Sequence, residues 1–187
     1  MSSPSDVATG VQNLAATLFA AITDPGDAVR IFSQLNSFVT SPISGTSSIA
    51  NAQTIVEQAT SDLCRRTAAI YLAQASAYYQ PTSQNDAQNV QQMVCNILDA
   101  EILIAGDEGL DETFYALTSL RNSVAQDLTT RGSALPPLKT FTTNLPMPAL
   151  NLAYQYYQDI TRTDQLVASA NPPHPAFMPT SFIALSS

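Results

Sequence analysis

Apolar positions along this chain recur mostly three and four residues apart, the spacing of helices that bury one side. Val7, Val11, Leu14, Leu18 and Ile22 form one such stripe. It predicts a first helix capped by Asp6, after a frayed start at residues 1–5. Asp24-Pro25 ends that helix and opens the next, with Asp as N-cap and Pro at the first helical position. Val29, Ile31, Phe32, Leu35 and Phe38 follow, and the two helices are expected to form a tight hairpin. Residues 40–48, TSPISGTSS, read as a loop by composition.

From about Ser48 to Gln80 no Pro or Gly interrupts the chain, which predicts one long helix. Val56, Ala59, Leu63, Ile70, Ala73 and Ala77 fall on one side of it, and Tyr71, Tyr78 and Tyr79 mark a second, bulkier face. Ser83 with Asp86 starts a fourth helix, carrying Val90, Met93, Val94, Ile97, Leu98 and Ile104 and stopping at Gly106. Asp107 to Glu112 opens a fifth, with Leu110, Phe114, Leu117, Leu120, Val124 and Leu128, closed by Gly132. Residues 133–149 hold four prolines and read as an extended connector.

The last stretch has more character. Pro146 and Pro148 bracket the start of a helix with Leu150, Leu152, Ala153, Tyr156 and Tyr157 as its apolar face. Gln158-Asp159 is a break. Thr161, with Asp164 three residues on, is expected to cap a second short helix whose apolar face is Ile160, Leu166, Val167 and Ala170. Asn171-Pro172-Pro173 stops it, and Phe182 to Leu185 forms a short strand or an apolar tail. The predicted fold is all-α: a bundle of about five helices over 1–132, a connector over 133–149, and a C-terminal docking module over 150–187.

Composition changes the picture in two ways. Charged residues make up 12% of the chain, about half the usual share. A surface so poor in long charged side chains suits a chain that lies against other chains. The net charge is −8 with seven basic residues, and Arg65-Arg66 is the sole basic doublet. A nucleic-acid backbone needs clustered Lys and Arg, so direct nucleic-acid binding is disfavoured, and the doublet is read as solvating a helix face. No apolar run is long enough to span a bilayer, and no membrane partner is expected. Two cysteines outside CxxC spacing read as buried free thiols in a reducing, intracellular setting.

Candidate chemistry is sparse. The carboxylates Asp99, Glu101, Asp107, Glu108, Asp111 and Glu112 lack the EF-hand pattern, and read as helix capping and solvation. His174, the sole histidine, sits between two prolines with nothing nearby in sequence to orient it. There is no phosphate-cradling loop, dinucleotide fingerprint or HExxH motif. No catalytic, cofactor or metal site is expected, and the chain reads as a non-enzyme.

A family resemblance rests on residues 131–187. Leu145, Pro146, Leu152, Ala153, Tyr154, Tyr157, Asp159, Arg162, Asp164, Leu166, Val167, Asn171, His174, Pro175, Phe177, Pro179 and Leu185 follow the ending of the Mu-type phage "DNA circularisation protein N", or DNA circulation, family. Arg131, Leu135 and Pro136 extend the likeness upstream. The chain departs from that family at Gln158 and Ala176, where Gly is usual. Family members are usually longer and open with a separate domain, so the resemblance implies a fragment or a short relative. The ending also resembles the last half of a LysM-type module: a helix, an Asn, a Pro, then an apolar strand.

The resemblance implies a structural component of a contractile phage tail, near the baseplate hub and the end of the tail tube. It would lie in the virion tail after assembly in the host cytoplasm. Its partners would be hub, tube and baseplate proteins, with homo-oligomeric packing around the tail axis. Alternatives are a DNA-end circularisation factor, an unrelated helical interaction module, or a peptidoglycan-binding module. Tyr154, Tyr157, Arg162, Asp164, Asn171, His174, Pro175, Phe177 and Phe182 are the expected docking residues. Arg162 with Asp159 or Asp164 is expected to be an ion pair within the module.

Overall fold

The computed structural model describes residues 4–37 and 47–186. Phe38, most of the expected 40–48 loop and residues 1–3 of the expected frayed start lie outside them. The described chain is mostly α-helical: α1 (Pro4–Ala21), α2 (Pro25–Leu35), α3 (Ser48–Tyr78), α4 (Gln84–Asp107), α5 (Asp111–Ser133), β1 (Leu138–Thr142), α6 (Ala149–Tyr157), a 3-10 turn (Ile160–Arg162), α7 (Thr163–Ala170) and β2 (Ser181–Leu185). No described helix is long and apolar enough to cross a membrane.

The chain divides into two compact units, residues 1–80 with 88–130, and residues 81–87 with 131–187. In the first, α1 starts at Pro4, so Asp6 lies in its first turn rather than at its cap. Asp24 caps α2 as expected, accepting a hydrogen bond from Gly26 N at 2.7 Å. α1 and α2 meet through the Phe19 and Phe32 rings, and each also packs on α3. Tyr71 of α3 stacks on Phe32 with centroids 5.5 Å apart.

The expected stripe on α3 is only in part its core face. Ala73 is buried as expected, together with Ala68, Ala69, Leu72 and Ala75, whereas Val56 and Ile70 are exposed. Alanine is the reason. A helix rich in it has no bulky side to betray its buried face, and close approach of neighbours needs small residues.

Two antiparallel hairpins follow. Arg65 meets Glu101 across α3 and α4. Asp99 meets Arg121 across α4 and α5, and Gln91 meets Thr129 in the same register. Ser83 Oγ accepts from Asp86 N at the start of α4, and Asp86 in turn accepts from Thr82 N. α4 runs past Gly106. The residue that ends it is Gly109 at φ 69°, the left-handed position glycine adopts without strain. Phe32, Leu72, Val94, Leu98 and Leu128 form the centre of this unit's core.

In the second unit β1 and β2 pair antiparallel, Leu138 opposite Leu185 and Phe141 opposite Phe182. Residues 133–149 are therefore more than a connector: they supply a strand and the core residues Phe141 and Ala149. Gly132, read as closing α5, lies inside its last turn. A Cβ there would fall 2.7 Å from the Ala87 Cβ, so the close approach requires glycine.

Candidate docking surface

The second unit is built as strand, helix, helix, strand around Phe141, Leu152, Leu166, Met178 and Phe182. On α6 the buried face is Ala149, Leu152 and Ala153, and Leu150 points to solvent. Two loops close one end of the unit. Ala149 N donates to Pro175 O at 2.8 Å, and Met178 N donates to Met147 O at 3.0 Å. These bonds hold residues 145–149 against residues 174–178.

Most of the expected docking residues have a task inside the unit. Tyr157 is half-buried, and its hydroxyl donates to Leu185 O at 2.6 Å, tying α6 to β2. Burial pushes its phenol pKa up, against the opposing pull of Arg162. Arg162 does not form the expected ion pair. Its guanidinium lies 4.0 Å from the centre of the Tyr157 ring, and its Nε donates to Gln165 Oε1 at 2.9 Å. Asp159 is committed elsewhere: its carboxylate accepts from both the N–H and the hydroxyl of Thr161, which holds its pKa below the usual value. The cap at this break is thus Asp159 on the 3-10 turn, not Thr161, and α7 starts at Thr163. Asp164 is exposed in the first turn of α7, where negative charge is favourable.

Asn171 caps α7 in the left-handed region at φ 43°, a conformation Asn tolerates. His174 Nδ1 accepts from Ala176 N at 3.0 Å, so the histidine fixes the turn that its flanking prolines begin. Pro175 contributes its carbonyl to α6, as above. Phe182 is 6% exposed and stacks on Phe141 with centroids 5.8 Å apart. It is a core residue, unavailable to a partner. Strand alternation explains the difference: Phe182 and Ala184 face the helices, and Ile183 faces out.

Two aromatic residues of the set present most of their side chain to solvent. Tyr154 is 66% exposed and Phe177 is 69% exposed. Leu145 and Leu150, not anticipated as contacts, are exposed with them. Because the two loops are bonded together, Leu145, Leu150 and Phe177 lie at one end of the unit, and Tyr154 is one turn further along α6. Compared with known protein families and with curated protein sequences, the chain matches none.

The two departures from the resembled pattern have different consequences. Ala176 has an ordinary backbone conformation. Gln158 ends α6 at φ 55°, ψ 22°, where an L side chain costs roughly 1–2 kcal/mol. Gln158→Gly should therefore stabilise the protein by about 1 kcal/mol, less a part lost to the freer unfolded chain. Urea unfolding measures it, and a destabilised variant would contradict the assigned backbone.

The first unit holds a feature the sequence reading missed. Glu101 is 2% exposed, with Arg65 Nε at 2.9 Å and Arg66 Nε at 3.8 Å, the latter too long for a hydrogen bond. Arg65 also pairs with Asp62, and Arg66 with Glu108. The basic doublet is an inter-helix clamp rather than a solvated face, and part of the acidic cluster is its counterpart. Although burial opposes the Arg65 charge, Glu101 and Asp62 raise its pKa above the ordinary value. Cys95 is a buried free thiol, its pKa pushed up by burial. Cys64 is only half-buried, beside an apolar cavity of about 350 Å³ that Leu14, Leu18 and Leu35 also line.

Proposed function

We propose that this chain is a structural component of a contractile phage tail, near the baseplate hub and the tail-tube end, and that its C-terminal unit docks on neighbouring tail proteins. One observation carries the reading. Among the motif positions shared with the DNA circulation family, Leu152, Ala153, Tyr157, Asp159, Leu166, Asn171 and His174 each build or cap the unit. Tyr154 and Phe177 instead present large aromatic side chains that are mostly exposed. Aromatic residues presented this way are the usual anchors of protein interfaces.

A circularisation factor gripping DNA is the weaker alternative. Arg65, Arg66 and Arg121 are held in intramolecular ion pairs, and Arg162 lies on Tyr157. A peptidoglycan-binding module has an observation of its own: β1 completes the strand–helix–helix–strand order of a LysM-type module.

Purified chain should form a defined complex with hub or tail-tube proteins encoded beside it, seen by light scattering on mixing. Tyr154→Ala with Phe177→Ala should weaken that complex by roughly 2 kcal/mol or more. Both side chains are exposed, so thermal stability should stay within about 0.5 kcal/mol. Retention on cell-wall sacculi with no tail-protein complex would transfer the proposal to the glycan-binding reading.

A further inference from the structure

The first turns of α3 stand largely free of their own unit. From Ser48 to Thr60 only Ala50 is buried. Ile49 is 71% exposed, Ile55 70% and Val56 65%. The segment includes the β-branched run Thr54-Ile55-Val56, which lowers helix propensity. A helix end of this length gains little stability from propensity alone.

Its exposed apolar positions are not scattered. Ile49, Ala52, Val56 and Ala59 are all exposed and follow one another at alternating spacings of three and four, and the half-buried Leu63 continues the series. This is the seam of a helix that packs side by side with another helix, and the occupant it fits is α-helical. The most regular apolar stripe on α3 is thus one whose first four positions are exposed.

The sizes along the seam identify the second helix. Large residues (Ile49, Val56, Leu63) alternate with alanines (Ala52, Ala59). In a parallel pair of identical helices, like positions meet, and the alanine layers leave gaps. In an antiparallel pair centred near residue 54, Ile49 meets Ala59 of the second copy and Val56 meets Ala52 of the second copy. Each of the four layers from Ile49 to Ala59 is then one large and one small side chain, which lets the helices approach closely, and Leu63 lies beyond the paired segment. Ile55 flanks the axis and is covered as well. Charge permits the same pairing: Glu57 is the sole charged residue from Ser48 to Thr60, and it lies off the seam.

We propose that the chain self-associates through an antiparallel pairing of α3 with α3 of a second copy, centred near residue 54. The inference rests on this helix alone and is independent of the tail reading. It uses a different surface from Tyr154 and Phe177.

Sedimentation equilibrium on the full chain tests it. The wild type should show a reversible dimer at high micromolar concentration. Val56→Asp should weaken the dimer by roughly tenfold or more, because it would place a carboxylate in the seam. Its helix content should be unchanged, since Val56 is 65% exposed in the monomer. Ala59→Leu is a second variant, since Leu is a good helix former at an exposed position. It should also weaken the dimer, by overfilling the layer opposite Ile49. Tyr154→Ala should leave the dimer unchanged. A monomeric wild type, a dimer indifferent to Val56→Asp, or a Val56→Asp chain that loses helix would each overturn the proposal. A tighter Ala59→Leu dimer would overturn the antiparallel arrangement. Loss of tail-protein binding by the Tyr154 and Phe177 variants with the dimer intact, or the reverse, separates the two proposals.

Discussion

Glu101→Ala should cost about 3–5 kcal/mol, lowering the thermal midpoint by roughly 10 °C in a chain of this length. The carboxylate is 2% exposed, and two arginines converge on it from α3. Removing it leaves a half-buried Arg65 with Asp62 as its remaining partner, and Arg66 with Glu108. The cost is mostly that of stranding charge between helices, not the worth of the pair itself. A conservative change separates these contributions. Glu101→Gln keeps the shape and one acceptor but removes the charge, and should fall between wild type and Glu101→Ala. Because buried pairs are poorly screened, the difference should survive raised salt. Urea unfolding of the three proteins at low and high salt is the measurement. A cost under about 1 kcal/mol, abolished by salt, would mean the pair behaves as an exposed one.

The same clamp shows why part of the fold was not legible. Helix existence followed from period and punctuation, so α2 begins at its Asp24 cap and α3 runs unbroken, much as the spacing indicates. Which face a helix buries was harder. On α4 large residues mark the buried face, with Val90, Val94 and Leu98 in the core, whereas on α1 Val7 and Leu14 of the expected stripe are exposed and Leu18, Phe19 and Ile22 pack on the core. On α3 the core contacts are alanines, and the arginines pair with Glu101 some 36 residues away in sequence. A doublet that pairs across a hairpin looks, along the chain, no different from one that faces water. The turn at Gly109 was misplaced to Gly106 for a related reason: both glycines follow the apolar run, and only the backbone shows which one takes the left-handed position.

The candidate surface was legible as a region but not residue by residue. The motif positions cluster in one compact unit, yet most of them serve its construction. Phe182 and Ile183 are neighbours in an apolar run, and nothing short of the strand pairing says which faces inward. That pairing depends on β1, within a segment whose prolines argued for a connector. Leu138-Lys139-Thr140-Phe141 buries only Phe141, and one apolar position is too little to declare a strand without its partner.

Phe141 makes the point testable. It lies 4.4 Å from the Tyr156 ring centre, 6.1 Å from Tyr157 and 5.8 Å from Phe182. One side chain from the supposed connector is therefore where α6 and both strands meet. Phe141→Ala should destabilise the second unit by about 3–5 kcal/mol, the usual cost of emptying a buried phenylalanine site. Amides in β1 and β2 should lose hydrogen-exchange protection, and tyrosine near-ultraviolet dichroism should change because Tyr156 and Tyr157 lose a ring neighbour. Phe182→Ala should cost a similar amount. The double variant should cost less than the sum by about 0.5–1.5 kcal/mol, the coupling of a stacked aromatic pair. Full additivity would mean the rings do not share one core. The contrast with the exposed aromatics then interprets any loss of binding. Changing Tyr154 and Phe177 should reduce tail-protein binding at unchanged stability, whereas changing Phe141 should reduce both together. If Phe141→Ala bound normally while its strands exchanged freely, the docking surface would not depend on the folded unit, and the proposed role for its C-terminal end would have to be abandoned.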